Sequence, residues 1–337
     1  MSKFALDVLE RCVFPFAAPT ADPDVLVGAA FGEDAALTRV GDGVLVSHVD
    51  PIIGAIEGIG WLAVHVACND VATTGAAPRW LQVLVIVPRQ EDEALLAQIM
   101  QDVDRAAREV GASVIGGHTG YSAGVSRPLV AVTAFAVAPA GAPLVRTQGA
   151  QVGDQVLVTK GVGLEGTGIL AADFADAARQ LGLSQADLDR GRALLQEVSV
   201  IPEALALAKA GATSMHDVTR GGLLETLLEI ALLSGVGLTV AAAPAPQRPL
   251  IDRFAQAFGF DPWQMISSGT LAATVPPTSL AAATAALRAL GTPFGVIGEV
   301  VAGSGVTLHR NGRVERYTEI QCESDELARM WAQYPRG

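Results

Sequence analysis

Trp80-Leu81-Gln82-Val83-Leu84-Val85-Ile86-Val87, closed by Pro88, is a β-rich run, and the segment that follows it, Glu91 to Val110, has a different period. In that second segment Leu95, Ile99, Val103, Ala106 and Val110 form one apolar stripe, Glu91, Asp92 and Glu93 fill the first turn, and Gly111 stands just past the end. Acidic residues at the start, a stripe at helical spacing and a terminal glycine predict an amphipathic helix packed on a sheet. Working outward, Val44 to Val49, Ser113 to Ile115 and Leu129 to Val137 read as further strands, and Glu57 to Thr74 as another helix. The first half is thus expected to run β-β-α-β-α-β-β, a layered sheet with its helices on one face.

The Pro/Gly-bearing stretch Pro139-Ala140-Gly141-Ala142-Pro143 predicts a connection between an N-terminal domain, residues 1–140, and a C-terminal domain, residues 150–337. In the second domain Gln155 to Thr159, Thr270 to Val275, Gly295 to Val300 and Val306 to His309 are expected strands. Leu164 to Ala178, Ser184 to Glu197, Pro202 to Ala210 and Gly222 to Leu233 are expected helices, with a polar break at Met215-His216-Asp217 and a proline-rich loop from Ala242 to Pro249. The fold class is α/β, with α+β layering in two domains, and no internal repeat of fixed period is present.

The chain has 337 residues, half of them apolar, and a net charge of −12 without a Lys/Arg cluster. That balance argues against nucleic acid and anionic membranes as partners, because both are held mainly by neutralising phosphate. Cys12, Cys68 and Cys322 lack metal-finger spacing, and their odd number without an apolar leader predicts free thiols in a reducing, cytoplasmic setting. The longest apolar stretch, Leu129 to Ala138, is too short to span a bilayer.

Three aspartates at the ends of apolar segments carry the chemical signal. They are Asp34 in Gly32-Glu33-Asp34-Ala35-Ala36, Asp50 in Ser47-His48-Val49-Asp50-Pro51 and Asp70 in Cys68-Asn69-Asp70-Val71-Ala72. Carboxylates among small residues, with no Lys or Arg beside them, suit a hard divalent cation such as Mg²⁺ and the phosphates it carries. For Asn69 and Asp70 the competing reading is a buried pair bonded to backbone. His65 is expected to be a packed core or interface residue.

Glycine-rich segments supply the remaining candidates. Gly161-Val162-Gly163-Leu164-Glu165-Gly166 matches the G-x-G-x-x-G pattern, but the stretch from Leu183 to Leu195 reads as helix where a dinucleotide fold needs a strand with an acidic end. An anion-binding turn at a helix start, with Lys160 and Gly161 beside it, is the preferred expectation; tight packing is the competing one. No G-x-x-x-x-G-K-[ST] loop occurs. Gly116-Gly117-His118-Thr119 could bring backbone, imidazole or hydroxyl to phosphate or metal, and could equally be a plain turn. In His216-Asp217-Val218-Thr219-Arg220-Gly221-Gly222 the expected site roles are His216 and Asp217 as base or ligand and Arg220 as phosphate partner, the alternative being a helix cap made by Asp217 or Thr219.

In series, these segments resemble the superfamily that contains aminoimidazole ribonucleotide synthetase, thiamine-monophosphate kinase, selenophosphate synthetase and the hydrogenase-maturation carbamoyl dehydratase. Ser268-Gly269-Thr270 and Ile297-Gly298-Glu299-Val300 are nearest the dehydratase branch. The resemblance implies an N-terminal domain that pairs with its copy in a homodimer, with ATP and Mg²⁺ in the groove at the dimer interface. It implies metal-binding roles for Asp34, Asp50 and Asp70. Nucleotide-facing positions are implied for Asn69, Gly117, His118 and Thr119, with Gly116 adjoining, and a place near the substrate for Asp217.

The chemistry implied is phosphorylation of an oxygen of a small substrate, as product or as activation of a carbonyl or amide, with ADP released. The alternative expectation is a nucleotide-binding maturation adaptor that works through a protein partner. The sequence finishes Tyr334-Pro335-Arg336-Gly337 where the dehydratase branch has a reactive Cys, so carbamoyl acceptance is not expected. His118 also stands where relatives often place Asp or Glu.

Overall fold

The computed structural model describes residue 4 and residues 6–17, 22–53, 58–320 and 326–334. After two short helices, α1 (Leu6–Cys12) and α2 (Phe14–Ala17), come β1 (Val25–Val27), β2 (Ala36–Val40), β3 (Gly43–Ile53), α3 (Ile59–Thr73), β4 (Trp80–Val87), α4 (Glu93–Val110), β5 (Ser113–Tyr121) and β6 (Leu129–Pro139). The strands form one sheet in the order β1-β2-β3-β6-β4-β5, antiparallel except for the β4–β5 pair. Both long helices lie on one face of it. The expected element order holds with one strand and the two short helices added at the front. The start of α3 expected at Glu57 lies outside the described residues, as do Cys322 and residues 335–337.

The second domain holds β7 (Gln155–Thr159), α5 (Leu164–Asp173), α6 (Ala175–Gln180), α7 (Gln185–Ala193), a 3₁₀ turn (Leu194–Glu197) and α8 (Ile201–Ala210). There follow β8 (Ser214–Asp217), α9 (Gly222–Ser234), β9 (Gly237–Ala241), α10 (Pro249–Phe258), β10 (Leu271–Val275) and α11 (Leu280–Ala289). The chain closes with β11 (Phe294–Val301), β12 (Gly305–Arg310), β13 (Arg313–Tyr317) and α12 (Glu326–Gln333). Its sheet runs β13-β12-β9-β11-β7-β10-β8. Two sequence expectations are corrected here. Met215-His216-Asp217 is not a polar break but part of β8, buried at every position on the sheet edge, with His216 placed between Asp34 of the first domain and Glu229 of the second. The short strand expected at Ser113 to Ile115 runs on to Tyr121, since Gly116 to Tyr121 pair with Gln82 to Val87 of β4.

α3 explains why the two domains share a core. All of its residues are buried, as expected of a helix apolar on every side. It packs on β3 and β6, on α4, and on α8 and β8 of the second domain. The largest apolar cluster accordingly joins Val64, Val71 and Val132 to Leu207, Met215 and Leu271. Where α3 crosses α4, a Cβ on Gly60 would stand 2.3 Å from the carbonyl oxygen of Ile99, so only glycine lets the helices approach this closely.

Among the described residues, the other face of the first sheet is left largely uncovered. Side chains alternate along a strand, and Val49 and Ile53 of β3 with Val137 of β6 point away from α3 and are 59%, 45% and 47% exposed. β5, at the sheet edge, is exposed along nearly all its length. No described helix is long and apolar enough to cross a membrane.

Candidate metal and substrate site

A cavity of about 660 Å³ opens between the domains, within the size range of small-molecule sites. Asp34 enters it from the segment ahead of β2, His48 and Asp50 from β3, and Asp70 from α3. The strand period of two puts His48 and Asp50 on one face, and the spacing of Leu62, Val66 and Asp70 puts them on one stripe of α3. From the second domain come His216 at the end of β8, Arg220 from the turn after it, Glu225 and Glu229 from α9, and Glu165 from α5. Phe14, Phe31 and Trp331 contribute apolar wall.

Two imidazoles make bonds within the cluster. His48 Nε2 is 3.3 Å from Asp70 Oδ2, and its Nδ1 bonds the backbone carbonyl of Asp34. His216 Nδ1 is 3.1 Å from Asp34 Oδ1 and 3.7 Å from Asp217 Oδ1, while Nε2 is 3.0 Å from Glu229 Oε2. Among the described residues, Asp34 Oδ2 and both carboxylate oxygens of Asp217 are buried without a hydrogen-bond partner. Buried, unsatisfied carboxylate oxygens call for a cation, so the donor set fits a divalent metal.

Electrostatics agree. Burial, reinforced by Asp217 and Glu229 against the opposing His216, pushes the Asp34 carboxyl up to about 8. Burial also raises Asp70 well above the usual carboxylate range, with Asp217, Asp34 and Asp50 adding to it. For His216 burial alone would favour the neutral ring, but Asp34, Asp217 and Glu229 outweigh it and hold the imidazole well above its usual value. Without a metal the cluster therefore keeps protons that a cation would displace.

Other sequence candidates fall elsewhere. Asn69 does not face the cavity: fully buried, it donates from Nδ2 to the Val198 carbonyl at 2.7 Å and accepts from the Val200 N–H at 2.9 Å. The backbone-bonded reading is the one that holds for it, and it clamps α3 to the second domain. Lys160 is corrected too. Its ammonium pairs with Glu203 at 2.9 Å and donates to the carbonyls of Glu197 and Ser199.

The helix start beside Gly161 is likewise spoken for, because the Leu164 and Gly166 N–H groups donate to Ser267 Oγ and the Ile266 carbonyl. Tight packing explains this glycine: a Cβ on Gly161 would lie 2.9 Å from Arg248 Cγ. Gly116, Gly117, His118 and Thr119 lie in β5, away from the cavity lining of a single chain. Thr219 caps nothing, since α9 begins after Gly221 with no side-chain cap. His65 is a core residue, 3.1 Å from Glu109 Oε2 and packed on Trp61.

Sequence reasoning missed His48, Glu165 and Glu229. The signals were available: His48 precedes Asp50 by one strand period, and Glu225 and Glu229 recur at i, i+4 in an otherwise apolar helix.

Residues 32–138 match the family described as AIR synthase related protein, N-terminal domain, and residues 151–311 match its C-terminal domain. The carbamoyl dehydratase HypE of Cupriavidus necator is 33% identical over 264 residues, covering 75% of this chain and 70% of that protein. HypE of Rhizobium leguminosarum bv. viciae is 30% identical over 285 residues, covering 81% and 77%. Among solved structures, HypE in complex with ATP superposes with a TM-score of 0.70 at 24% identity, covering 94% of this chain and 95% of that one. The complex of AaThiL with AMPPCP and TMP gives 0.68 at 19%, covering 86% and 90%. These likenesses establish the two-domain fold, and with both family domains matched in order the chain belongs to the AIR synthase related family.

Proposed function

We propose that this chain is an ATP-dependent enzyme that uses Mg²⁺ to phosphorylate an oxygen of a small substrate, as product or to activate a carbonyl or amide, and releases ADP. One observation carries the reading: aspartates from three separate segments, Asp34, Asp50 and Asp70, line a single cavity with His216 and Arg220 of the second domain. Asp34, Asp50 and Asp70 would hold the metal, which when bound neutralises phosphate charge and aligns the transfer. Arg220, beside Glu165 in the wall, orients substrate or phosphate.

The uncovered apolar face of the first sheet fits a homodimer, in which β5 with Gly117, His118 and Thr119 reaches nucleotide across the interface. The test is thermal stabilisation by ATP with Mg²⁺: Asp70→Asn should lose it while circular dichroism stays native. An Asp70→Asn protein stabilised as strongly as the parent would overturn the reading.

A further inference from the structure

α5 turns one stripe toward the cavity between the domains: Glu165, Ile169 and Asp173, spaced at i, i+4 and i+8, all line it. Glu165 opens that stripe in the first turn of the helix and is only 4% exposed. Segment 266–268 fixes it there. The Ile266 carbonyl and Ser267 Oγ accept the Gly166 and Leu164 N–H groups, each at 3.0 Å, and the Ser268 N–H donates to Glu165 Oε2 at 3.3 Å. Among the described residues, Ser268 is the sole hydrogen-bonding partner of this carboxyl. The neighbouring carboxylates are engaged by imidazoles, Asp34 and Glu229 by His216 and Asp70 by His48. Burial pushes the Glu165 carboxyl above its usual 4.5, against the Ser268 bonds and Arg220 and with help from Asp217. It therefore takes up a proton more readily than an ordinary carboxylate.

We propose that Glu165 is the catalytic base that accepts the proton of a substrate hydroxyl, which makes the phosphoryl acceptor an alcohol with an apolar body. The inference rests on the ATP-dependent reading above and chooses among its acceptors. A carbonyl, carboxylate or amide oxygen attacks phosphorus with no proton of its own to lose, whereas a hydroxyl must shed one, and a positioned carboxylate receives it. The hydroxyl proton passes to Glu165 as the substrate oxygen bonds the γ-phosphorus of ATP. The bond from that phosphorus to the β–γ bridging oxygen breaks, its electron pair leaves with ADP, and the proton goes on to solvent. Beside Glu165 the wall is made by Ile169, Ile266, Leu327 and Trp331, which suits a ring-bearing or aliphatic body on the acceptor.

Benzyl alcohol combines a hydroxyl with an apolar ring and serves as the probe, with benzamide as the counterpart that has no hydroxyl. Given ATP and Mg²⁺, the parent should form benzyl phosphate and should not release ADP in response to benzamide. Glu165→Gln and Glu165→Ala should slow benzyl phosphate formation by about 10²–10⁴-fold while keeping the parent's thermal stabilisation by ATP. Added formate should restore part of the rate in Glu165→Ala, a rescue that a merely structural role would not give. Three results would overturn the proposal: no benzyl phosphate from a parent that ATP stabilises, a rate in either variant close to the parent's, or a slow alanine variant that formate leaves unchanged. A parent that ATP does not stabilise would instead remove the nucleotide reading beneath it.

Discussion

The carboxylate of Asp34 and the imidazole of His216 stand 3.1 Å apart, although one belongs to the segment ahead of β2 and the other to the edge strand of the second sheet. Their meeting makes the cavity a property of both domains together. Anything that shifts one domain on the other changes the separation of these two side chains, so the groups holding the domains in register are open to test.

Asn69 is the most direct of these. Asn69→Ala leaves the Val198 carbonyl and the Val200 N–H buried and unpaired, at about 1–3 kcal/mol for each group. The thermal midpoint should fall clearly. Asn69→Asp should also destabilise, because a carboxylate would face the Val198 carbonyl. A midpoint unchanged in the alanine variant would show that the clamp contributes nothing.

Lys160 was expected near phosphate but is committed to Glu203. Lys160→Met strands a buried carboxylate and should cost about 3–5 kcal/mol. Adding Glu203→Gln should recover much of that loss, the signature of a coupled pair in a double-mutant cycle. ATP affinity should be untouched in the double variant, and a large loss of affinity would return Lys160 to the binding site.

Gly60→Ala places a methyl group 2.3 Å from the Ile99 carbonyl oxygen. Forcing α3 from α4 should cost about 1–3 kcal/mol, read as a shift of the urea midpoint. An unshifted midpoint would mean that the helices separate freely.

His65 supplies a pH dependence. Burial lowers its pKa below the usual 6.5, against the opposing Glu109. The unfolded chain therefore binds the proton first, and the stability tied to the neutral ring is present above about 6.5 and lost as pH falls toward the lower folded value. The stability of the parent relative to His65→Gln should decline as pH falls below about 6.5. A difference that stays flat or rises on acidification contradicts the assignment.

Val49→Lys introduces charge on the uncovered face of the first sheet. If that face is the homodimer contact, sedimentation should show the parent as a dimer and the variant as a monomer. A parent that sediments as a monomer ends the dimer reading.

Local pattern made much of the architecture legible. The stripe from Leu95 to Val110, the alternation of Leu129 to Val137 and the glycine after each long helix report which face of an element is buried, and that depends on neighbours a few residues away. The sequence alone likewise picked out Asp34, Asp50 and Asp70, since acidic side chains in apolar, small-residue surroundings are conspicuous without any fold. Which partner a buried polar group meets is a different kind of fact, because it depends on contacts across the whole chain. Asn69 and Asp70 are adjacent on one helix, yet a step of about 100° around its axis sends one to the Val198–Val200 backbone and the other to the cavity. Only the packing of the second domain against α3 decided that split. It also decided that His216 lies on a buried strand, and that Lys160 answers Glu203 instead of a phosphate.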